Sequence, residues 1–216
     1  MKRSFTIIGL GTFGSTLALE LTRAGNDVIG IDLNPELVNE FADGITQAVV
    51  ADARDEKTLR DLGVHECDVV VVAIGENLEA NILATLIVKG MNKPKVWAEA
   101  LNHSHHRILE KLGADHIVHP EHEMGVRLAN TLMYPEVMDY ISLGDDQFTV
   151  EIHVSERLAG KKMNALHLTE HDVQCLLVKH QAEVMAPPPA HYEFSLDDRL
   201  VLLGTFANLR KISAYL

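Results

Sequence analysis

The chain has 216 residues, 47% of them apolar, with 19 Lys and Arg against 31 Asp and Glu and a formal net charge of −12. That length predicts one main core with a small appendage, and the acidic balance argues against nucleic acid as a partner, because phosphate contacts need clustered cations. No apolar stretch approaches the roughly 20 residues of a membrane helix, and Met1-Lys2-Arg3 runs straight into a strand rather than a secretory signal. Cys67 and Cys175 stand without CxxC spacing, so the expectation is a cytoplasmic protein with two reduced core thiols and no zinc or redox motif.

Residues 4–33 read SFTIIGLGTFGSTLALELTRAGNDVIGIDL: a strand, a Gly9-x-Gly11-x-x-Gly14 turn, an amphipathic helix and a second strand ending on Asp32. In such a unit the first glycine lets the chain turn sharply off the strand. The second removes a Cβ where a diphosphate approaches the backbone, and the third lets the helix sit close on the sheet. Free N–H groups of the helix start then face the phosphates. Asp32 is placed to accept hydrogen bonds from both ribose hydroxyls while repelling a 2′-phosphate, so adenosine diphosphate groups fit and NADP does not.

The alternation continues. Asn34 and Pro35 open a helix to Phe41, residues 47–51 form a strand, and residues 56–62 form a helix ended by Gly63. Residues 68–74 (DVVVVAI) are a continuous apolar run of the kind buried parallel strands show, and should be the sheet centre. Leu78, Ile82, Leu86 and Ile87 fall at helical spacing within residues 77–89. A strand at 95–100, a helix at 105–112, a strand at 116–118 and a longer helix at 121–133 complete six strands with intervening helices. This is a Rossmann-like, doubly wound parallel α/β sheet, finished by about residue 135 where Tyr134-Pro135 breaks the last helix. The first domain is set at residues 1–138 and a second, small α/β lobe at 139–216. The lobe's short strands are expected at 148–154, 173–179, 183–186 and 199–203, with a stiff loop at Pro187-Pro188-Pro189 and a terminal helix at 206–215. About 70 residues bury little core alone, so dimerisation through this lobe is expected.

Asp52, at the end of the third strand, either accepts the adenine amino group or caps the helix near Glu56. Residues 73–77 (AIGEN) follow the fourth strand at the edge where open α/β sheets bind ligands; they contact nucleotide through their backbone or form an ordinary turn with Asn77 as N-cap. Of 12 histidines, six lie between His103 and His122. The HSHH run reads as a metal cluster or, since its side chains diverge and no carboxylate or cysteine spacing accompanies it, as a solvated helix start. Glu121 and Glu123 sit where acids meet a helix dipole favourably. Beyond residue 135 groups such as His153, Arg157, Lys161 and Lys162 are scattered, with no Ser/Tyr-x-x-x-Lys or GxSxG pattern to organise them for proton transfer or anchoring. A sensor is therefore favoured over an enzyme, with an NAD-dependent oxidoreductase or NAD(H)-binding regulator as the alternative.

GLGTFG with Asp32, VVADARD, VVVVAIGEN and the run LEKLGADHIVHPEHEMGVRLAN at residues 109–130 resemble the RCK (KTN) domain of Trk/Ktr-type potassium uptake proteins. LAGKKMNAL and DDRLVLLGT extend the resemblance over the smaller C-terminal lobe. It implies a nucleotide-gated cytosolic regulatory subunit that binds ATP or ADP, with NAD or NADH as an alternative effector. It also implies an octameric ring of dimers, docked at the inner face of the membrane onto an embedded potassium-translocating subunit. Nucleotide exchange would change the ring's shape and so open or close the pore. Carried over by position, the resemblance puts phosphate on Gly9, Gly11, Thr12, Phe13 and Gly14, ribose on Asp32, adenine on Asp52 and Ala53, and further contacts on Ala73 and Gly75. It puts Mg²⁺ or another divalent cation on Glu121, near the γ-phosphate and across the dimer. Thr12 replaces an arginine common in the family, and Glu99 a basic residue, which weakens charge compensation for a triphosphate and leaves ATP, ADP and NAD open. Some relatives bind cyclic di-AMP in the C-terminal lobe, where residues 164–168 and 187–189 occupy the corresponding region.

Overall fold

The computed structural model describes residues 2–133 and 137–212, and the chain divides into two compact units, Met1–His122 and Glu123–Leu216. The first unit alternates β1 (Ser4–Ile8), α1 (Thr12–Arg23), β2 (Asp27–Asp32), α2 (Pro35–Phe41), β3 (Gln47–Val50), α3 (Glu56–Asp61), β4 (Val69–Val72), α4 (Leu78–Gly90), β5 (Lys95–Glu99), α5 (His103–Leu112) and β6 (His116–Val118). All neighbouring strands are parallel, in the order β3-β2-β1-β4-β5-β6. The four valines of β4 are all buried, as a strand covered on both faces requires. Successive side chains alternate faces: Phe5 and Ile7 pack with Ala18 of α1 and Val38 of α2, while Ile8 packs with Leu59, Ala84 and Leu109 of the helices opposite.

The helix starts are written locally. Asn34, Asp55, Asn77 and Asn102 each accept a hydrogen bond from a backbone N–H of the first turn of α2, α3, α4 and α5, which satisfies donors the helix itself leaves unpaired. Of the two roles open to Asp52, capping α3 therefore falls to Asp55 instead. Its position immediately before Glu56 lets its carboxylate reach the Lys57 N–H at 3.0 Å. Cys67 is buried with its sulfur 3.1 Å from the Thr6 hydroxyl. Burial pushes the Cys175 thiol up to about 11, and neither cysteine is in a disulfide.

After β6 comes α6 (Pro120–Met133), within which the two units divide. The boundary read from the sequence at residue 138 lies further along, inside β7 (Val137–Gly144). Tyr134-Pro135 lies outside the described residues. The second unit contains β7, β8 (Gln147–His153), β9 (Gln174–His180), β10 (Glu183–Met185), β11 (Asp198–Thr205) and α7 (Phe206–Ile212); of the terminal helix expected at 206–215, residues 213–215 are outside the described residues. Its sheet is antiparallel in the order β10-β9-β11-β8-β7, closed over Ile152, Leu158, Leu166, Val178, Leu200 and Leu202. Asp198 is fully buried there. Its carboxylate pairs with His180 Nδ1 at 2.6 Å and accepts hydrogen bonds from the Tyr192 hydroxyl and the Ser195 N–H, both at 2.8 Å. Burial first, then the bond to Asp198, pushes the Tyr192 phenol up to about 12.

β7 is a strand the sequence reading did not anticipate. It turns into β8 through Asp145 and Asp146, both at positive φ (+49° and +58°), the conformation of a two-residue type I′ hairpin whose usual signal is Asn-Gly or Asp-Gly. Two aspartates conceal that signal.

Between β4 and β5 the fully buried Asn81 of α4 donates from Nδ2 to the carbonyls of Ile74 (2.9 Å) and Glu99 (3.0 Å), which staples together the carboxyl ends of the two strands. Asn81→Ala leaves both carbonyls short of a donor in a dry site and should destabilise the protein by about 2–3 kcal/mol. Urea unfolding measures this; a loss under about 0.5 kcal/mol would show that the staple contributes little to stability.

Candidate nucleotide site

The turn between β1 and α1 is shaped by main chain touching main chain. Gly9 sits at φ +100°, where a Cβ would stand 2.3 Å from the Ala73 carbonyl oxygen; a Cβ on Gly14 would stand 1.9 Å from the Gly9 carbonyl oxygen and 3.1 Å from the Ala73 Cβ. Neither position admits a side chain. Gly11 differs: a Cβ there would meet nothing within 4 Å, so what its missing side chain leaves is open approach to the backbone. Gly11 is also the N-cap of α1 and makes no side-chain capping bond. The N–H groups of Thr12, Phe13 and Gly14 thus point at the same open space with the helix dipole behind them.

Asp32 closes β2 beside this turn. Its Oδ2 accepts the Leu10 N–H at 2.7 Å and its Oδ1 the Asn34 N–H at 2.8 Å. Each carboxylate oxygen keeps a further lone pair for a hydroxyl donor. Asp52 follows β3 and is gripped by Arg54: Nη2 to Oδ2 at 2.7 Å, Nε to Oδ1 at 2.9 Å and the Arg54 N–H to Oδ1 at 2.9 Å. That bidentate bond holds the Asp52 carboxyl below the usual range. The ion pair is exposed and so is weakly held. Ala53 is buried behind it.

At the ends of β4 and β5, Asn77 caps α4 by accepting the Ala80 N–H at 3.0 Å. Gly75 lies against Glu99, whose Oε1 would be 3.2 Å from a Gly75 Cβ. Burial, and secondly the Glu121 carboxylate, hold the half-buried Glu99 above its ordinary range. The HSHH run does not form a uniformly solvated helix start. His105 is buried, accepts the Leu101 N–H on Nδ1 at 3.3 Å and is pushed down chiefly by that burial. His106 shares a 2.9 Å hydrogen bond with His119. Asn102 supplies the cap. Among the described residues no group of three or more His, Cys, Asp or Glu has metal-holding geometry; a cation at Glu121 would need ligands from elsewhere. Asn81 was not legible as a site residue, because an Asn inside an apolar helical run carries no motif.

A TrkA-N domain model matches residues 5–120 and a TrkA-C domain model residues 148–216. The chain belongs to the TrkA-N/TrkA-C family of potassium uptake proteins. It is 37% identical to Ktr system potassium uptake protein A of Bacillus subtilis (strain 168), over 97% of this chain and 95% of that one. It is 36% identical to protein C of the same strain, over 98% and 96%. Protein A of Vibrio alginolyticus is 36% identical over 94% and 92%. Among solved structures, the GsuK channel bound to NAD has a TM-score of 0.58 at 23% identity, over 99% of this chain and 38% of that one. The GsuK RCK domain has 0.55 at 21%, over 99% and 46%. These share the RCK fold. The chain is thus a relative of the Ktr potassium uptake proteins with the RCK fold, and among the described residues no helix is long and apolar enough to cross a membrane.

In this chain Glu99 gives stability a defined pH dependence. Its folded pKa lies above the ordinary value, so the native state binds a proton more readily than the unfolded chain. Ionisation therefore penalises the fold as pH rises, starting near the ordinary glutamate range and complete above the folded value. Glu99→Gln should raise the melting temperature at pH 7, with the gain shrinking to nothing below about pH 4. Paired thermal melts across that range test it, and a pH-independent difference would contradict the assignment.

Proposed function

We propose that the chain is the nucleotide-sensing gating subunit of a potassium uptake system. The observation that carries this is the open, uncapped start of α1 at Gly11, an anion site built from backbone N–H groups and a helix dipole. In this reading Gly9, Gly11, Thr12, Phe13 and Gly14 hold the phosphates of an adenine nucleotide, ATP, ADP or NAD(H). Asp32 accepts the ribose hydroxyls. Asp52 and Ala53 receive the adenine, Asp52 turning from Arg54 toward the exocyclic amino group, and Ala73 and Gly75 complete the wall. Glu121 meets a divalent cation such as Mg²⁺ together with phosphate oxygens and a second copy of the chain.

Assembly follows from surface chemistry. α6 exposes Met124, Leu128 and Leu132, which at spacings of four residues share one face of the helix, an apolar stripe of the kind oligomers cover, and this supports a homo-oligomeric ring, here proposed as an octamer assembled from dimers. The ring acts in the cytoplasm against the inner face of the membrane, on an embedded potassium-translocating subunit, and binds nucleotide without turning it over. In the second unit the 3₁₀ turn Met163–Leu166 and the loop at 187–189 meet through Tyr192, whose carbonyl accepts the Met163 N–H at 2.8 Å and whose N–H donates to the Pro189 carbonyl at 2.9 Å; this is the surface proposed for cyclic di-AMP.

Gly11→Ala tests the cradle. The added methyl meets nothing in the folded chain, so stability should stay within about 0.5 kcal/mol. Affinity for ADP should fall at least about tenfold, near 1.4 kcal/mol, because the methyl occupies the phosphate's approach. Calorimetric titration beside thermal melts measures both, and unchanged ADP affinity would remove the phosphates from this loop.

A further inference from the structure

The sheet order β3-β2-β1-β4-β5-β6 consists of two halves that meet between β1 and β4, and a ligand lying across that crevice reaches both. The two halves end alike. Ile8 of β1 pairs with Ile31 of β2, and the next residue of β2 is Asp32; Val72 of β4 pairs with Ala98 of β5, and the next residue of β5 is Glu99. Asp32 touches the loop that follows β1, through the Leu10 N–H. Glu99 lies against the loop that follows β4, at Gly75. Both outer strands thus finish, one step past the register pair, on a carboxylate leaning toward the loop of the inner strand.

The two carboxylates differ in what they already hold. Asp32 accepts two backbone N–H groups. Among the described residues the Glu99 carboxylate accepts no hydrogen bond, although it is half-buried and faces the repulsion of Glu121. A part-desolvated carboxylate without a donor is an unfilled acceptor. What it suits is a ligand group that brings hydroxyl donors and no negative charge. A terminal phosphate does the opposite, and neither GLGTFG nor AIGEN contains a Lys or Arg to neutralise one.

We infer that Glu99 accepts the hydroxyls of a second ribose, so that the site selects a dinucleotide, two nucleosides joined by a diphosphate, over a nucleoside triphosphate. This rests on the glycine loop being the phosphate cradle. Asp32 holds the adenosine ribose over the first half of the sheet, the diphosphate crosses at Gly11, and Glu99 receives the other ribose over the second half.

The experiment is a Mg²⁺-free calorimetric titration of the full chain with ADP, ADP-ribose, NAD and ATP. ADP-ribose adds the second ribose to ADP and, through the ester, removes one phosphate charge. Glu99→Gln beside Glu99→Ala separates the two effects, since Gln keeps a hydroxyl acceptor but not the repulsion. In the wild type ADP-ribose and NAD should bind at least about tenfold more tightly than ADP, the effect of hydrogen bonds to a charged acceptor, and ATP more weakly than ADP. Glu99→Ala should bring ADP-ribose down to the ADP value while leaving ADP within about twofold, and Glu99→Lys should strengthen ATP at least about tenfold. Equal binding of ADP and ADP-ribose by the wild type overturns the inference without any variant, and so do equal losses for both ligands in Glu99→Ala. If ADP-ribose and ADP both bind but only their ratio is flat, the cradle stands and Glu99 is no ribose acceptor; if none of the four binds, the cradle itself falls and the inference with it.

Discussion

The nucleotide unit depends on a place where three stretches of main chain meet with no side chain between them. The Gly9 carbonyl lies against Gly14, and the Ala73 carbonyl against Gly9. These approaches fix the angle at which α1 leaves β1 and tie the turn after β1 to the end of β4, where the Ala73 N–H also donates to the Ile8 carbonyl at 2.7 Å. Everything the site presents follows from that fixed turn: the direction of the first N–H groups of α1, the openness at Gly11, and the Leu10 N–H that holds Asp32 in place. A methyl at either tight glycine would push backbone against backbone, which has no soft degree of freedom to absorb it.

A chain of net charge −12 that binds an anion must do so locally. Distant carboxylates are screened beyond about 8 Å at physiological salt, so what decides is the set of groups within one turn of the phosphates. There the chain supplies dipoles in place of cations. The helix start contributes roughly half a positive charge, enough to favour an internal diphosphate, while Arg54 is occupied by Asp52. The acids gather at strand ends, where sugar hydroxyls would meet them. This separation of dipoles at the crevice from carboxylates at its two sides is the electrostatic pattern of a ligand whose charge is central and whose ends are neutral.

The first unit was legible because its signals are local and redundant. The unbroken valines of β4, the cap residues Asn34 and Asn77, and the glycine spacing each act within a few residues and point to one topology. What escaped sequence reading depends on partners far along the chain. Whether Asp52 or Asp55 caps α3 turns on three residues of spacing. The burial of His105 follows from how α5 packs on the sheet, which the HSHH run does not encode. Asn81 becomes a staple only once β4 and β5 are adjacent. In the second unit, β7 hides behind an Asp145-Asp146 hairpin, and the buried Asp198 draws its donors from His180, Tyr192 and Ser195, a hub with no motif. The strands at β8, β9, β10 and β11 were visible because their apolar residues alternate or cluster between turn residues.

A site made largely of backbone is strong in affinity and weak in discrimination, since any diphosphate offers the same oxygens to the same N–H groups. Selectivity must then come from the few side chains that reach the ligand, and the geometry restricts these to the ends of the strands. On the proposed reading, Asp32 distinguishes a free ribose from one carrying a 2′-phosphate. Asp52, by releasing or keeping Arg54, can distinguish a base with an amino donor from one without. Among the described residues the half-buried Glu99 carboxylate accepts no hydrogen bond, and on the reading proposed above it sits where ligands sharing an adenosine diphosphate core begin to differ. Selection at these strand ends leaves undisturbed the glycine contacts on which the unit stands.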